Sequence, residues 1–143
     1  MKGKFEPLIL AFCCNYCPSC SADLAKSARL QYPPNIRIIK VSCIGAVGII
    51  HILKALENGA DGVCLMGCQE EKCEYLTGNF RAMKRVQYVK KLLGKLSIEK
   101  ERLEIYNFSA AEAHRFCKLA REITETVRNL GPTPLKIDNS KDR

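Results

Sequence analysis

Residues 8–20 read Leu8-Ile9-Leu10-Ala11-Phe12-Cys13-Cys14-Asn15-Tyr16-Cys17-Pro18-Ser19-Cys20, an apolar run that leads directly into four cysteines. A continuous apolar run is typical of a strand buried on both faces, as the strands of a parallel sheet are. Similar runs recur at Ile36 to Val41, Gly62 to Met66 and Leu103 to Phe108. The sequence therefore predicts four parallel β-strands.

Helical patterns lie between these runs, which is the arrangement of a sheet covered by crossover helices. The first helix is predicted from about Ser21 to Gln31, before two prolines, and the second from about Val47 to Glu57. A capping box at residues 109–112 starts the last helix, and Gly131-Pro132 ends it. The buried stripe of the third helix is predicted as Met83, Val86, Val89 and Leu93, and that of the last as Ala113, Phe116, Cys117, Ala120, Ile123 and Val127.

We therefore expect one α/β domain of three layers over residues 1–131. In it, helices flank a four-stranded parallel sheet with the flavodoxin-like order 2-1-3-4. Residues 132–143 form a polar C-terminal tail without periodicity, and we expect this tail to be loose.

Composition narrows the setting in which the protein works. Lys and Arg number 23 against 15 Asp and Glu, so the net charge of +8 favours an acidic partner, an anionic ligand or nucleic acid. No secretion signal is recognisable, and the apolar runs are too short to span a bilayer. We therefore expect a cytoplasmic protein with no membrane partner.

Nine cysteines are many for a chain of 143 residues without an export signal. In a reducing compartment, thiols more often bind metal or carry out redox chemistry than form disulfides, so the cysteines indicate one of those functions. Seven of the nine gather just after the predicted carboxyl ends of three strands, which lie at one edge of a parallel sheet. Spacings such as Cys-x2-Cys suit iron-sulfur ligation. The candidate metal ligands are Cys14, Cys17, Cys43, Cys68 and Cys73.

Two glycines, Gly45 and Gly67, lie beside these cysteines and allow backbone N–H groups to approach a cluster closely. Cys64 and Cys117 lie on predicted apolar faces and are interpreted as core residues. Cys13 adjoins Cys14, and consecutive strand side chains point to opposite faces, so both are not expected to reach one cluster.

Four segments together resemble a known family: Phe12 to Cys17, Gln31 to Ile39, Leu53 to Val63 and Gly67 to Tyr75. They are similar to the delta, iron-sulfur subunit of methyl-viologen-reducing hydrogenase. The resemblance implies a 2Fe-2S protein that transforms no substrate itself. It would pass single electrons from a hydrogenase small subunit or a formate dehydrogenase to the flavin subunit of heterodisulfide reductase.

The family's cysteine pattern maps onto the same five cysteines, but the sequence departs from the pattern at other positions. Gln69 and Glu74 stand where the family often has histidine, and Cys13 and Cys20 are additional thiols.

Two other interpretations remain open. Cys17-Pro18-Ser19-Cys20 has the form of a redox Cys-x-x-Cys motif between a strand and a helix, which would indicate a thiol-disulfide oxidoreductase. A structural zinc site in a nucleic-acid-binding protein would explain the sulfurs and the basic face of the third helix. Tyr88 is the single aromatic residue among the charges of that face, fewer than stacking platforms require, so we expect no nucleic-acid partner. Its basic residues are Arg81, Lys84, Arg85, Lys91 and Lys95. His51 and His114 are interpreted as ordinary helix residues.

Overall fold

The structure is a computed structural model that describes residues 5–14, 35–67, 78–107 and 113–133, without the side chains of residues 78–80. Its strands are β1 (Ile9–Cys14), β2 (Ile36–Val41), β3 (Gly62–Gly67) and β4 (Leu103–Asn107). Its helices are α1 (Ile49–Glu57), α2 (Gly78–Lys95) and α3 (Ala113–Leu130), with short 3₁₀ turns at Ile44–Ala46 and Lys100–Arg102. The first predicted helix, the capping box and residues 134–143 lie outside the described residues.

The four strands form one parallel sheet in the order β2-β1-β3-β4, as predicted. Cys14 pairs with Val41 of β2, and Cys13 pairs with Met66 of β3. The central position of β1 places its carboxyl end between those of β2 and β3. The chain leaves β1 toward one neighbour and later returns on the other side, so this edge carries the switch point at which open α/β sheets bind ligands.

Side chains of β1 alternate between two apolar layers. Ile9, Ala11 and Cys13 pack into the layer that contains the buried face of α3. Phe12 and Cys14 pack into the opposite layer, with the buried faces of α1 and α2. The three-layer α/β class is therefore confirmed, and so is the prediction that Cys13 and Cys14 point to opposite faces of the sheet.

The helix patterns are confirmed with two differences, of which the first is that α1 begins at Ile49 and not at about Val47. All six predicted residues of α3 are buried. In α2 the buried stripe begins at Ala82 and continues through Val86, Val89 and Leu93, whereas Met83 is only partly buried. Gly131 follows α3 with a φ of 87°, and Gly59 follows α1 with a φ of 112°, which is the left-handed conformation expected beyond a helix C-terminus.

Strand β1 extends two residues further than the apolar run predicts. Cys13 and Cys14 are its last two residues, so they lie within the strand and not in the loop after it. Both are buried, at 0% and 3% exposure, because each enters one of the two apolar layers. A small apolar thiol suits that position as well as an aliphatic side chain does.

The amino edge of the sheet is held by Asp61 and Arg102, both fully buried. Asp61 accepts from the backbone N–H of Leu8 at 2.8 Å and from that of Thr133 at 3.1 Å. Arg102 donates to the carbonyls of Asp61 at 3.0 Å and Pro132 at 3.3 Å, and to Glu99 at 2.7 Å. These bonds join the starts of β1 and β3 to the segment after α3.

Candidate metal centre

Cys14 is the last residue of β1 and lies at the carboxyl edge of the sheet. Its Sγ donates to the carbonyl oxygen of Ser42 at 3.8 Å, from the face that packs against α1 and α2. Ser42 follows directly after β2, so the contact joins the ends of two adjacent strands. The first predicted ligand therefore lies against the residue that precedes Cys43.

Cys43 follows β2 by two residues and is the N-cap of the 3₁₀ turn Ile44–Ala46. Its backbone is extended, with φ −159° and ψ 140°, and its Sγ accepts from the backbone N–H of Gly45 at 3.3 Å. The thiol is buried, at 6% exposure. A sulfur that accepts an N–H bond is better able to carry negative charge, which is a requirement of a thiolate ligand.

An open cleft of about 160 Å³ lies beside Cys43 and is bordered by Ser42, Gly45, Ala46 and Arg81. Arg81 and Arg85 lie four residues apart on α2, hence on one face of the helix. Arg85 Nη1 donates to the carbonyl of Gly45 and, at 3.2 Å, to that of Val47. The sequence predicts these arginines as part of a basic face but gives no indication that they approach the cysteine turn.

Gly67 ends β3 opposite Asn107, at the same edge of the sheet as Cys14. It is the last described residue before Cys68. Three of the five predicted ligands, Cys17, Cys68 and Cys73, lie outside the described residues, as does Cys20. Their ligand roles, and the Cys-x-x-Cys alternative, stay predictions.

Two other cysteines, Cys64 and Cys117, are confirmed as core residues. Cys64 is fully buried in β3, and Cys117 is buried in α3 at 3% exposure. Burial raises the pKa of the Cys64 thiol well above its ordinary value, and it also raises that of Cys117. Burial, with a smaller contribution from Cys14, raises the pKa of Cys13 to about 12. Cys13 Sγ also donates to Met66 Sδ at 3.8 Å. Burial thus favours the protonated form of each thiol, which is not the form that binds metal.

The chemistry of the described donors fits a thiolate-bound metal group. Two buried sulfurs approach one strand edge, a backbone N–H already points at one of them, and an open cleft adjoins it. Within the ranges that the structure describes, no three His, Cys, Asp or Glu side chains are arranged to hold a metal ion. Any complete site therefore needs ligands from the remaining segments.

The histidines have other roles. His51 Nδ1 accepts from the backbone N–H of Gly48 at 2.9 Å and so caps the start of α1. His114 is exposed in the first turn of α3. No described helix is long and apolar enough to cross a bilayer.

Comparison with known proteins gives consistent relatives. The family model described as "Methyl-viologen-reducing hydrogenase, delta subunit" matches residues 9–131. The F420-non-reducing hydrogenase vhu iron-sulfur subunit of Methanocaldococcus jannaschii is 42% identical over 131 residues, which are 92% of this chain and 98% of the relative. The vhu iron-sulfur subunit of Methanopyrus kandleri is 46% identical over 127 residues, covering 89% of this chain and 96% of the relative.

A second kind of relative is much longer. It is the A subunit of the ferredoxin/F420H2-dependent CoB-CoM heterodisulfide reductase of Methanosarcina acetivorans, which is 39% identical over 126 residues. Those residues are 88% of this chain but 16% of the relative. Sequences similar to this chain thus occur both as separate hydrogenase subunits and as one segment of a larger reductase subunit.

Proposed function

The chain belongs to the family of the methyl-viologen-reducing hydrogenase delta subunit, and from that premise we propose that it is an electron-transfer subunit with a 2Fe-2S cluster. In this proposal it relays single electrons from a hydrogenase module to the flavin subunit of heterodisulfide reductase. A formate dehydrogenase could supply the same electrons. The setting is the cytoplasm, where reducing conditions keep cysteine thiols free for metal.

The observation that carries the proposal is the approach of Cys14 and the Cys43 turn at the carboxyl edge of the sheet. Cys14 Sγ lies 3.8 Å from the carbonyl of Ser42, and Ser42 precedes Cys43 directly. Cys14 also packs into an apolar layer, and its distinguishing feature is the contact of its sulfur with the residue that directly precedes a second cysteine. The proposed remaining ligands come from Cys17, Cys68 and Cys73, which follow β1 and β3 in the sequence.

The described residues would hold and tune the group. Cys14 and Cys43 would ligate as thiolates, and the Gly45 N–H would stabilise negative charge on the Cys43 sulfur, which favours the reduced state. When bound, a 2Fe-2S cluster supplies reversible one-electron transfer. The proposed role of Gly67 is a backbone N–H close to the cluster, at the end of β3.

The long relatives support the choice of acceptor. In the M. acetivorans protein, a segment similar to this chain is covalently part of the A subunit of a heterodisulfide reductase. Two units that are joined in one protein and separate in another often contact each other in both. The relatives described as hydrogenase iron-sulfur subunits favour a hydrogenase over a formate dehydrogenase as the donor.

The experiment is anaerobic purification of the full chain, followed by iron and sulfide analysis and by EPR after one-electron reduction. The proposal expects equal iron and sulfide and a reduced-state signal that Cys14→Ala and Cys43→Ala each abolish or alter. The matched controls are Cys64→Ala and Cys117→Ala, which remove thiols from the core and should leave the signal unchanged. A colourless protein that contains zinc would contradict the proposal.

The acceptor is tested separately with the purified flavin subunit of heterodisulfide reductase and the dithionite-reduced chain. The proposal expects the flavin to be reduced at a rate that depends on the concentration of the chain. Absence of this transfer with an intact cluster would contradict the relay and leave the cluster assignment standing.

A further inference from the structure

The turn that carries Cys43 is bound from the side by helix α2. Arg85, half-buried on that helix, donates through one nitrogen, Nη1, to the carbonyls of both Gly45 and Val47. Gly45 lies within the 3₁₀ turn Ile44–Ala46, and Val47 follows the turn directly. A single guanidinium nitrogen thus spans this end of the turn.

The turn's own hydrogen bonds use other carbonyls. The N–H of Ala46 donates to the carbonyl of Cys43 at 2.9 Å, and that of Val47 donates to the carbonyl of Ile44 at 3.0 Å. The Gly45 carbonyl shares its peptide group with the Ala46 N–H, so the Ala46 bond and the Arg85 bond both orient that one peptide group. The Val47 carbonyl accepts from neither bond of the turn and does accept from Arg85. Hydrogen bonds with a charged donor are roughly twice as strong as neutral ones.

Gly45 connects this clamp to the sulfur. Its carbonyl accepts from Arg85, while its N–H donates to Cys43 Sγ at 3.3 Å. The N–H and the carbonyl of Gly45 belong to consecutive peptide units that meet at its Cα, and glycine restricts the rotation between such units less than any other residue does. A rotation at Gly45 that breaks the Arg85 bond changes the relative orientation of the two peptide units, so the Arg85 bond helps to keep the N–H directed at the sulfur.

We propose that Arg85 is a positioning residue that locks the Gly45 N–H onto the sulfur of Cys43 and places a fixed positive charge beside it. This proposal deepens the proposed function, because the ligand role of Cys43 rests on that function. The clamp of Arg85 on the turn does not depend on it. Loss of Arg85 should expose the sulfur in the metal-free protein. In the loaded protein it should disfavour the more negative, reduced state.

The first arm uses the reduced, metal-free full chain and measures alkylation of Cys43 by iodoacetamide. Trypsin releases residues 41–54, a peptide in which Cys43 is the single cysteine. The rate is taken at alkaline pH, where it no longer depends on the thiolate fraction, because loss of the Arg85 charge would by itself lower that fraction. There Arg85→Met should raise the alkylation rate about tenfold, equivalent to a lost bond of about 1.4 kcal/mol. Arg81→Met is the matched control, because Arg81 borders the same cleft and, in the described residues, makes no bond to the turn's carbonyls.

The second arm measures the midpoint potential of the loaded protein by redox titration with EPR detection. Arg85→Met should lower the midpoint potential by about 59 mV, which for one electron corresponds to a tenfold lower ratio of reduced to oxidised protein at the wild-type midpoint. Arg85→Lys keeps the charge but loses the planar donor group, so its alkylation rate should rise while its potential falls less. If Arg85→Met does not fold by circular dichroism, Arg85→Lys decides the question.

The outcomes separate the two proposals. Equal alkylation rates in the Arg85 and Arg81 variants overturn the positioning role, whether or not a cluster is present. A faster rate only in the Arg85 variants supports the clamp even when the wild-type protein binds no iron. The absence of iron would contradict the proposed function and not the clamp. Equal potentials in loaded wild type and Arg85→Met overturn the role in tuning.

Discussion

Substituting Gly62 by alanine should lower the free energy of unfolding, because no room exists for a Cβ at the start of β3. A Cβ built there lies 2.7 Å from Val127 Cγ2 and 3.0 Å from Ile9 Cδ1. The tip of Ile9 can move aside. Val127 is fully buried in α3, and a β-branched side chain in a helix has essentially one rotamer, so relief requires a shift of the helix itself.

The size of the effect follows from two opposing contributions. Overpacking of this kind costs about 1–3 kcal/mol. Alanine also restricts the unfolded chain more than glycine does, which returns about 0.4–1 kcal/mol. A net loss of about 1.5 kcal/mol is expected, and with an m value of about 2 kcal/mol/M it would lower the urea midpoint by about 0.7 M.

A double-mutant cycle tests the cause. Val127→Ala alone should cost about 2 kcal/mol through the cavity it leaves. Combined with Gly62→Ala, it removes the clash and lets the new methyl fill part of that cavity, so the double variant should be more stable than the sum predicts by about 2 kcal/mol. Gly94→Ala is the control, since a Cβ at that position of α2 meets nothing within 4 Å and should stabilise slightly.

The assay is anaerobic urea unfolding followed by circular dichroism, together with iron content. Gly62 and Gly67 are the first and last residues of β3, five steps or about 16 Å apart, so iron content and midpoint potential should stay at wild-type values. Additive effects in the double variant would refute the contact with Val127. A wild-type urea midpoint for Gly62→Ala would refute the packing argument altogether.

Three further predictions concern charged and titrating groups. Arg102→Met should lower the free energy of unfolding by about 3 kcal/mol, because the carbonyls of Asp61 and Pro132 lose this donor. Iron content should not change, since Arg102 lies at the edge of the sheet opposite Cys14 and Cys43. A loss of iron at unchanged stability would contradict this prediction. The free energy of unfolding should fall as pH rises above 9.0, because the raised pKa of Cys64 keeps its proton in the folded state while the unfolded thiol loses it. Cys64→Ala should flatten the plot of unfolding free energy against pH by about 1.4 kcal/mol per pH unit. An unchanged slope from pH 9 to 10.5 would contradict this prediction. Arg81→Glu should slow electron transfer to a partner with an acidic surface roughly tenfold at low ionic strength, and the difference should shrink as salt is raised; a difference that salt does not change would exclude electrostatic docking at Arg81.

The sheet is the part of the fold that sequence predicts best. Strands β2, β3 and β4 begin at the predicted residues, because short runs rich in aliphatic residues between polar or glycine-containing turns favour strands. Only the central strand β3 is buried throughout, whereas the outer strand β2 exposes Arg37 and Lys40. The end of β1 is less predictable. Cysteine suits both a strand interior and a metal loop, and pairing with Val41 and Met66, not local preference, extends the strand through Cys14.

Contacts between segments distant in sequence explain what the sequence could not predict at the site. Arg85 belongs to a run of basic residues that is typical of a solvated helix face, and its bond to Gly45 joins residues 40 positions apart. The spacing of four between Arg81 and Arg85 indicates only that the two residues share one face of the helix. Likewise, the shift from Met83 to Ala82 in the buried stripe of α2 depends on the rotation of the helix against the sheet, which periodicity defines only to within a residue.

The two edges of the sheet divide stability from chemistry. At the amino edge, the buried Asp61 and Arg102 tie three chain segments together through bonds to the backbone. At the carboxyl edge, the sulfurs of Cys14 and Cys43 make neutral hydrogen bonds to backbone groups beside an open cleft. A sulfur held in this way can exchange a weak hydrogen bond for a metal bond at little cost in free energy. The bonds at the amino edge keep the strands in register during that exchange. Insertion of a metal group should therefore change the hydrogen-exchange protection of residues near Cys43 far more than that near Asp61, and equal changes at both edges would contradict this division.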